Sequence, residues 1–401
     1  MLYKFIHNYR KRKLLIENNG LKSYLINDKG YILLIVLMIS AFLVSFTSDF
    51  FLTTHTYISY IKRLKNDINS EFLTYSGYEI AKAILDVDRL GISGSFMPGL
   101  NSNKSIDCHK DIWALDFPAI PVMDYQVKVE IVDENSKINV SALANDKVEK
   151  TPYYGVLQRF LMNMGLSLDI SDALVDWVDP DDIRFPYGAE SSGYYYNLTP
   201  SYSAKNGRLD SISEILLVKG ISPEIYYGIG GGNYGIEKNL VDDNKGDVTI
   251  PLYKLEEMAA SSVKKDDIKS ITSDAERPVG KERSRLLSDY LTAYGNWDDF
   301  IDESNRININ TASFRVLSSL SDDFSEEIAA DIIRKRHLEP FTAASEISSF
   351  VKDYDSLANI LTVKSRIFRI TVTVKNDNSY CSGVYYFNRD DKKLLYCSMG
   401  H

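Results

Sequence analysis

Asp176, Asp179, Asp181, Asp182 and Glu190 crowd five carboxylates into a short stretch that runs from a helical pattern through Pro180 into a glycine-containing loop. Like charges at that density repel, so the groups are either solvated turn acids or neutralised by a cation. Hard oxygen donors with no histidine or cysteine nearby suit calcium, although the spacing is not that of an EF-hand loop. A second pair of interest is Cys381 and Cys397. Their midpoint falls at residue 389, inside the turn Asn388-Arg-Asp-Asp391, so a hairpin there would set them opposite each other within about one residue of register. An oxidising compartment would let them pair as a disulfide; otherwise they are two buried thiols, with Cys108 left over.

Other chemistry is excluded or weak. Five histidines and three cysteines leave little for a zinc or iron–sulfur centre. No G-x-S-x-G elbow, H-E-x-x-H or P-loop occurs, and Gly228-Ile-Gly-Gly-Gly232 lacks the spacing of a dinucleotide site. We read the chain as a non-enzyme. Leu216-Leu-Val-Lys-Gly-Ile-Ser-Pro223 and Ile307-Asn-Ile-Asn-Thr-Ala312 resemble helix-hairpin-helix elements, whose glycine hairpins offer N–H groups to phosphate. The second copy puts Leu320-Ser-Asp-Asp-Phe324 where the hairpin glycine belongs. Residues 1–30 carry a net +5 and the rest of the chain −14, a total of −9, and so acidic a body also argues against nucleic acid.

The elements that position these residues can be placed by periodicity. Lys4, Arg10, Lys11, Arg12, Lys13, Lys22 and Lys29 precede an apolar run from Tyr31 to Phe46. As a helix that run rises roughly 24 Å, and extension through Leu52 completes a membrane crossing. The basic flank places the N-terminus in the cytoplasm and the acidic body across the membrane. Ile58, Ile61, Leu64, Ile68, Phe72 and Tyr75 continue the helical spacing, with Gly77 as a place for a bend and Gly91–Gly94 as the end. Tyr125–Val132 alternates as a strand, with Lys137-Ile-Asn-Val140 as its expected partner. Helical blocks follow at 153–176, about 210–229 and about 311–361, separated by a polar loop from Gly230 to about Asp247. Arg366–Val374, Ser382–Phe387 and Leu394–Ser398 then read as strands. Strands that resume after a helical insert predict an α+β fold.

Several of these stretches together carry a family resemblance. Gly30 stands directly before the apolar run. That arrangement resembles the class III leader of type IV pilins and type II secretion pseudopilins, cut after the glycine by a prepilin peptidase that methylates the new terminus, here Tyr31. Most such proteins have glutamate as the fifth mature residue, where this chain has Ile35. The departure points to the minor pseudopilin family of general secretion pathway protein K. Asp172–Asp182 with Gly188-Ala-Glu190 and Tyr194–Tyr196, Asn206–Gly220, Lys137–Val140, Arg306–Ala312 and Ser365–Ile370 look like that family's blocks in order.

The resemblance implies a pilin-like long N-terminal helix and antiparallel sheet, with a large all-α, helix-hairpin-helix or SAM-like domain inserted in the sheet. The expected division is a cleaved leader at 1–30, a transmembrane part at 31–52, and pilin-like helix, loop and first strands at 53–148. An inserted helical domain would follow at 149–362, with subdomains at about 149–229 and 300–362, and strands completing the sheet at 363–401. It further implies calcium bound in the inserted domain, and a single-pass protein of the inner membrane with its body in the periplasm. It would sit at the pseudopilus tip with proteins I and J, above the major pseudopilin. A competence-type DNA-uptake pseudopilin is the alternative.

Overall fold

The computed structural model describes residues 28–92, 99–143, 151–227, 287–352, 354–377 and 379–400. The leader up to residue 27 and the expected loop from Gly230 to Asp247 lie outside them. Helix α1 is Asp28–Arg89. The chain divides into two compact units, residues 1–69 and 70–401.

In the first unit every described residue belongs to α1. No proline or glycine interrupts it from Tyr31 to Ser76, so each N–H finds its carbonyl one turn back. The hydroxyls of Ser40, Thr47, Thr56 and Ser59 donate to carbonyls three or four residues earlier. Their polar groups are therefore satisfied within the helix. The helix is long and apolar enough to cross a membrane.

In the second unit the rest of α1 supplies Tyr78, Ala81 and Leu85, one buried stripe at helical spacing. The stripe packs on an antiparallel sheet of five strands: β1 (Ile120–Val122), β2 (Tyr125–Asp133), β7 (Ile367–Lys375), β8 (Tyr380–Asn388) and β9 (Lys393–Gly400), in that order. Alternation chooses the buried face: Tyr125, Val127, Val129 and Ile131 from β2, and Phe368, Ile370, Val372 and Val374 from β7. Gly77 is not a bend. A Cβ there would lie 2.5 Å from Val372 Cγ1, so glycine lets the helix lie close on the sheet. Gly383 does the same from β8, where a Cβ would come within 2.3 Å of Thr74 Cγ2. The helix ends at Arg89, and Gly91, at φ +68°, turns the chain away.

Adjacent strands β2 and β7 are separated in sequence by residues 134–366, which form the insert. Lys137–Val140 is not the partner of β2, contrary to the sequence reading. β2 pairs with β7 from Gln126↔Lys375 to Asp133↔Phe368, a far longer ladder than the short segment could offer. Instead β3 (Ile138–Asn139) runs parallel to β4 (Leu291–Thr292). A like pair joins β5 (Ile307–Asn308) to β6 (Leu361–Thr362).

The insert's core is built by α2 (Pro152–Asn163), α3 (Asp169–Val178) and α7 (Glu326–Leu338). The short helices α4 (Pro223–Tyr227), α5 (Leu287–Tyr290) and α6 (Phe314–Leu317) lie between them in sequence. Tyr153, Val156, Leu157, Phe160, Leu161, Ile170, Leu174, Trp177, Leu317, Ile332 and Ile333 share one buried cluster. The block expected at 210–229 is less regular than its periodicity implies: a 3-10 turn at Ile212–Leu217, then α4.

Where the chain leaves and re-enters the sheet, buried charges are paired. Arg389 donates to both oxygens of Asp107 at 2.7 Å, to Asp88 at 3.3 Å and to the Ser365 carbonyl at 2.7 Å. Asp133, at the end of β2, accepts from Thr311 at 2.5 Å and Ser365 at 2.6 Å, which ties the insert to the sheet.

Candidate functional site

The acidic stretch is held by the end of α3. Asp172 and Asp176 are four residues apart and Asp179 three further on, so all three share one helical face. Asp179 is the C-cap, in extended backbone (φ −74°, ψ 156°), where Pro180 forbids continuation. The chain then loops back across that face. Phe185 N–H donates to Asp176 Oδ1 at 3.0 Å, and Tyr187 N–H to Asp172 Oδ2 at 3.3 Å. Gly188 passes so close that a Cβ would lie 1.9 Å from Asp176 Oδ2. Glu190 follows two residues later.

The fold thus brings together Asp179, Asp181 and Glu190, each offering one oxygen within 4.8 Å of the others. Asp176 stands beside them. Asp182 is turned to another task, its Oδ1 accepting from Asn206 Nδ2 at 3.0 Å. Asp176 and Asp179 are fully buried and Glu190 is 2% exposed. Yet Asp176 Oδ2 and both carboxyl oxygens of Asp179 and of Glu190 meet no donor in hydrogen-bonding geometry. Burial pushes the Asp179 carboxyl up to about 7, reinforced by repulsion from Asp181 and Asp176. It pushes Glu190 up to about 8, with Asp176 and Asp179 adding to the rise. Asp176 reaches about 6, burial outweighing the N–H groups of Phe185 and Ala189.

Desolvated oxygens without donors, converging from several residues, are the donor set a hard divalent cation satisfies. The residues present fit calcium. When bound, calcium would supply the positive charge that lets these carboxylates stay ionised in one place. Among the described residues a second close acidic group, Asp88, Asp107 and Asp111, is already supplied with donors. Arg389 pairs with Asp107 and Asp88, and Asp111 accepts from Cys108 N–H, Trp113 Nε1 and Asn101 Nδ2.

Sequence reasoning missed Asn206 and Lys219. Asn206 sits at φ +46°, a conformation asparagine tolerates, and its Nδ2 also donates to the Asp181 carbonyl at 2.8 Å. Its buried Oδ1 has no partner, so it is a neutral oxygen next to the acidic loop. In the sequence Asn206 only opens one of the blocks of the family resemblance. Lys219 Nζ donates to the carbonyls of Tyr187 and Gly188.

The expected cysteine pairing is not made. Cys397 lies opposite Tyr385, whereas Cys381 lies opposite Val374 on β7. The hairpin closes at Asn388↔Lys393 and carries an irregularity at Tyr386/Phe387, which moves the register several residues from the symmetric expectation. None of the three cysteines is in a disulfide; Cys108 and Cys381 are buried and Cys397 is exposed. At the other end of the chain, Gly30 lies in the first turn of α1, and Tyr31 and Ile35 are exposed on it.

Profiles of the family "Type II secretion system (T2SS), protein K" match residues 136–229 and 307–363. The type II secretion system protein K of Pectobacterium carotovorum subsp. carotovorum is 29% identical over 217 residues, 50% of this chain and 60% of that protein. That of Aeromonas hydrophila is 30% identical over 128 residues, 28% of this chain and 38% of that protein. The chain thus spans about half the length of the curated relatives it matches. The fold is that of a chain in the crystal structure of the GspK-GspI-GspJ complex from the enterotoxigenic Escherichia coli type 2 secretion system. The TM-score is 0.54 at 14% identity, over 85% of this chain and 99% of that one.

Proposed function

We propose that this chain, which belongs to the type II secretion system protein K family, is a non-catalytic cap at the tip of the periplasmic pseudopilus and supports export of folded proteins across the outer membrane. The observation that carries the reading is the helical domain inserted between adjacent strands β2 and β7 of a sheet packed on α1. A subunit with so large an insert makes a poor repeating unit of a fibre.

The charge at the stem supplies a reason for the position. Cleavage after Gly30 would free the Tyr31 ammonium, and Ile35 would then stand where other pseudopilins carry glutamate. Ile35 offers no carboxylate to the terminal ammonium of a subunit inserted above it. An unpaired charge inside a lipid-embedded bundle costs on the order of several kcal/mol. In this reading the molecule is anchored in the inner membrane by residues 31–52, with the acidic body in the periplasm. Minor pseudopilins of types I and J bind beside it and the major pseudopilin lies below. Calcium is held by Asp179, Asp181 and Glu190, with Asp176 behind them, and fixes the loop that follows α3.

Mass spectrometry of the mature N-terminus tests the leader. Methyl-Tyr31 is expected, and an intact Met1 would contradict it. The alternative, a DNA-uptake pseudopilin, predicts a shifted duplex-DNA band at low salt; our reading predicts none.

A further inference from the structure

The segment Leu216–Pro223, whose sequence resembles a helix-hairpin-helix element, turns Lys219 back into the protein. Lys219 N–H donates to the Tyr195 hydroxyl at 3.2 Å. Its Nζ donates to the Tyr187 carbonyl at 3.0 Å and the Gly188 carbonyl at 3.2 Å, and stands 5.5 Å from the centre of the Tyr194 ring. Gly220 follows at φ +87°, the left-handed turn that brings Lys219 to this place. We propose that Lys219 is a positioning residue that clamps the acidic loop over the cation site; the inference rests on the calcium reading above.

The geometry gives the clamp its leverage. The loop's own N–H groups donate to the carboxylates of α3, at Asp176 and Asp172, and Asn206 Nδ2 donates to the Asp181 carbonyl. Those bonds leave the Tyr187 and Gly188 carbonyls to Lys219. Lys219 reaches in from a segment about thirty residues further on and fixes two consecutive carbonyls. One belongs to Gly188, the point of closest approach to Asp176, two residues before the ligand Glu190. Charge-assisted bonds to both carbonyls therefore set where Glu190 can place its oxygens. Removing a nearby positive charge should, by Coulomb's law alone, tighten calcium binding. A loss of affinity on removing Lys219 is thus the signature of positioning and runs against electrostatics.

The test is calorimetric titration of calcium into the full chain in detergent at pH 7.5, with Lys219→Met and Lys219→Arg alongside. We expect the unmodified chain to bind, Lys219→Met to bind at least about tenfold more weakly, and Lys219→Arg to stay within about threefold, since a guanidinium can reach the same carbonyls. Equal or tighter binding by Lys219→Met overturns the clamp alone. No calcium binding by the unmodified chain overturns the calcium reading and the clamp with it. Should Lys219→Met fail to fold, Lys219→Gln decides: its shorter, neutral amide cannot bridge both carbonyls, so weaker calcium binding supports the clamp, and unchanged or tighter binding overturns it.

Discussion

Emptying the acidic site should make the protein's stability fall as pH rises, and calcium should reverse the fall. The carboxyls of Asp176, Asp179 and Glu190 titrate at about 6, about 7 and about 8 in the folded chain, all above the ordinary carboxylate range. The folded state therefore holds protons that the unfolded chain has lost. Their contribution is fully present below about pH 4 and disappears as pH climbs through 6 to 8. Asp179 alone stands about three units above its usual value. At ~1.4 kcal/mol per unit this sets a ceiling of ~4 kcal/mol, roughly 8–16 °C in melting temperature for a domain of this size. Asp88, Asp111 and Asp133 are raised by burial too and tilt the curve the same way, so a difference measurement is required. The assay is thermal unfolding of the chelator-treated chain between pH 5 and 8.5, with and without calcium, beside Asp179→Asn. The unmodified metal-free chain should lose stability across that range, and Asp179→Asn should lose less. Calcium should restore the unmodified chain at pH 8 by ~3 kcal/mol at a hundredfold excess over Kd, and leave Asp179→Asn unmoved. A metal-free chain that gains stability with pH, or an Asp179→Asn variant that responds fully to calcium, would refute the reasoning.

Three further outcomes follow from the packing. Gly77→Val should cost about 1–3 kcal/mol by forcing α1 off Val372, read as a lower denaturant midpoint with folding retained. Arg389→Met should cost about 3–5 kcal/mol because it strands Asp107 and Asp88 in the interior, and adding Asp107→Asn should recover part of the loss. A maleimide should label Cys397 in the folded chain without reductant, while Cys381 and Cys108 react only after unfolding; protection of Cys397 would contradict the strand register.

Local pattern made part of this molecule readable. The strand β7 announces itself by alternation, β8 and β9 by the turns at Asn376–Asn378 and Asn388–Asp391, and α3 by its apolar spacing and the Pro180 stop. The acidic stretch was visible because its carboxylates are close in sequence, and the fold brings three of them to a common point while turning Asp182 aside. What escaped was set by distant partners. Lys137–Val140 has the composition of a hairpin strand, but its mate is Leu291–Thr292, some 150 residues away. Gly77 looks like a bend until Val372 is seen against it. The cysteine register depended on where a turn closes and on one irregularity in the ladder, neither of which is fixed by symmetry. Asn206 and Lys219 join the acidic loop from outside it, so no spacing rule could have found them.

The most direct test of the tip assignment is native mass spectrometry of the detergent-extracted full chain, co-expressed with type I, type J and major pseudopilins. The account predicts a complex holding a single copy of this chain beside one of each minor partner. Assemblies that contain two or more copies of it, or a chain that associates with neither minor pseudopilin, would contradict it.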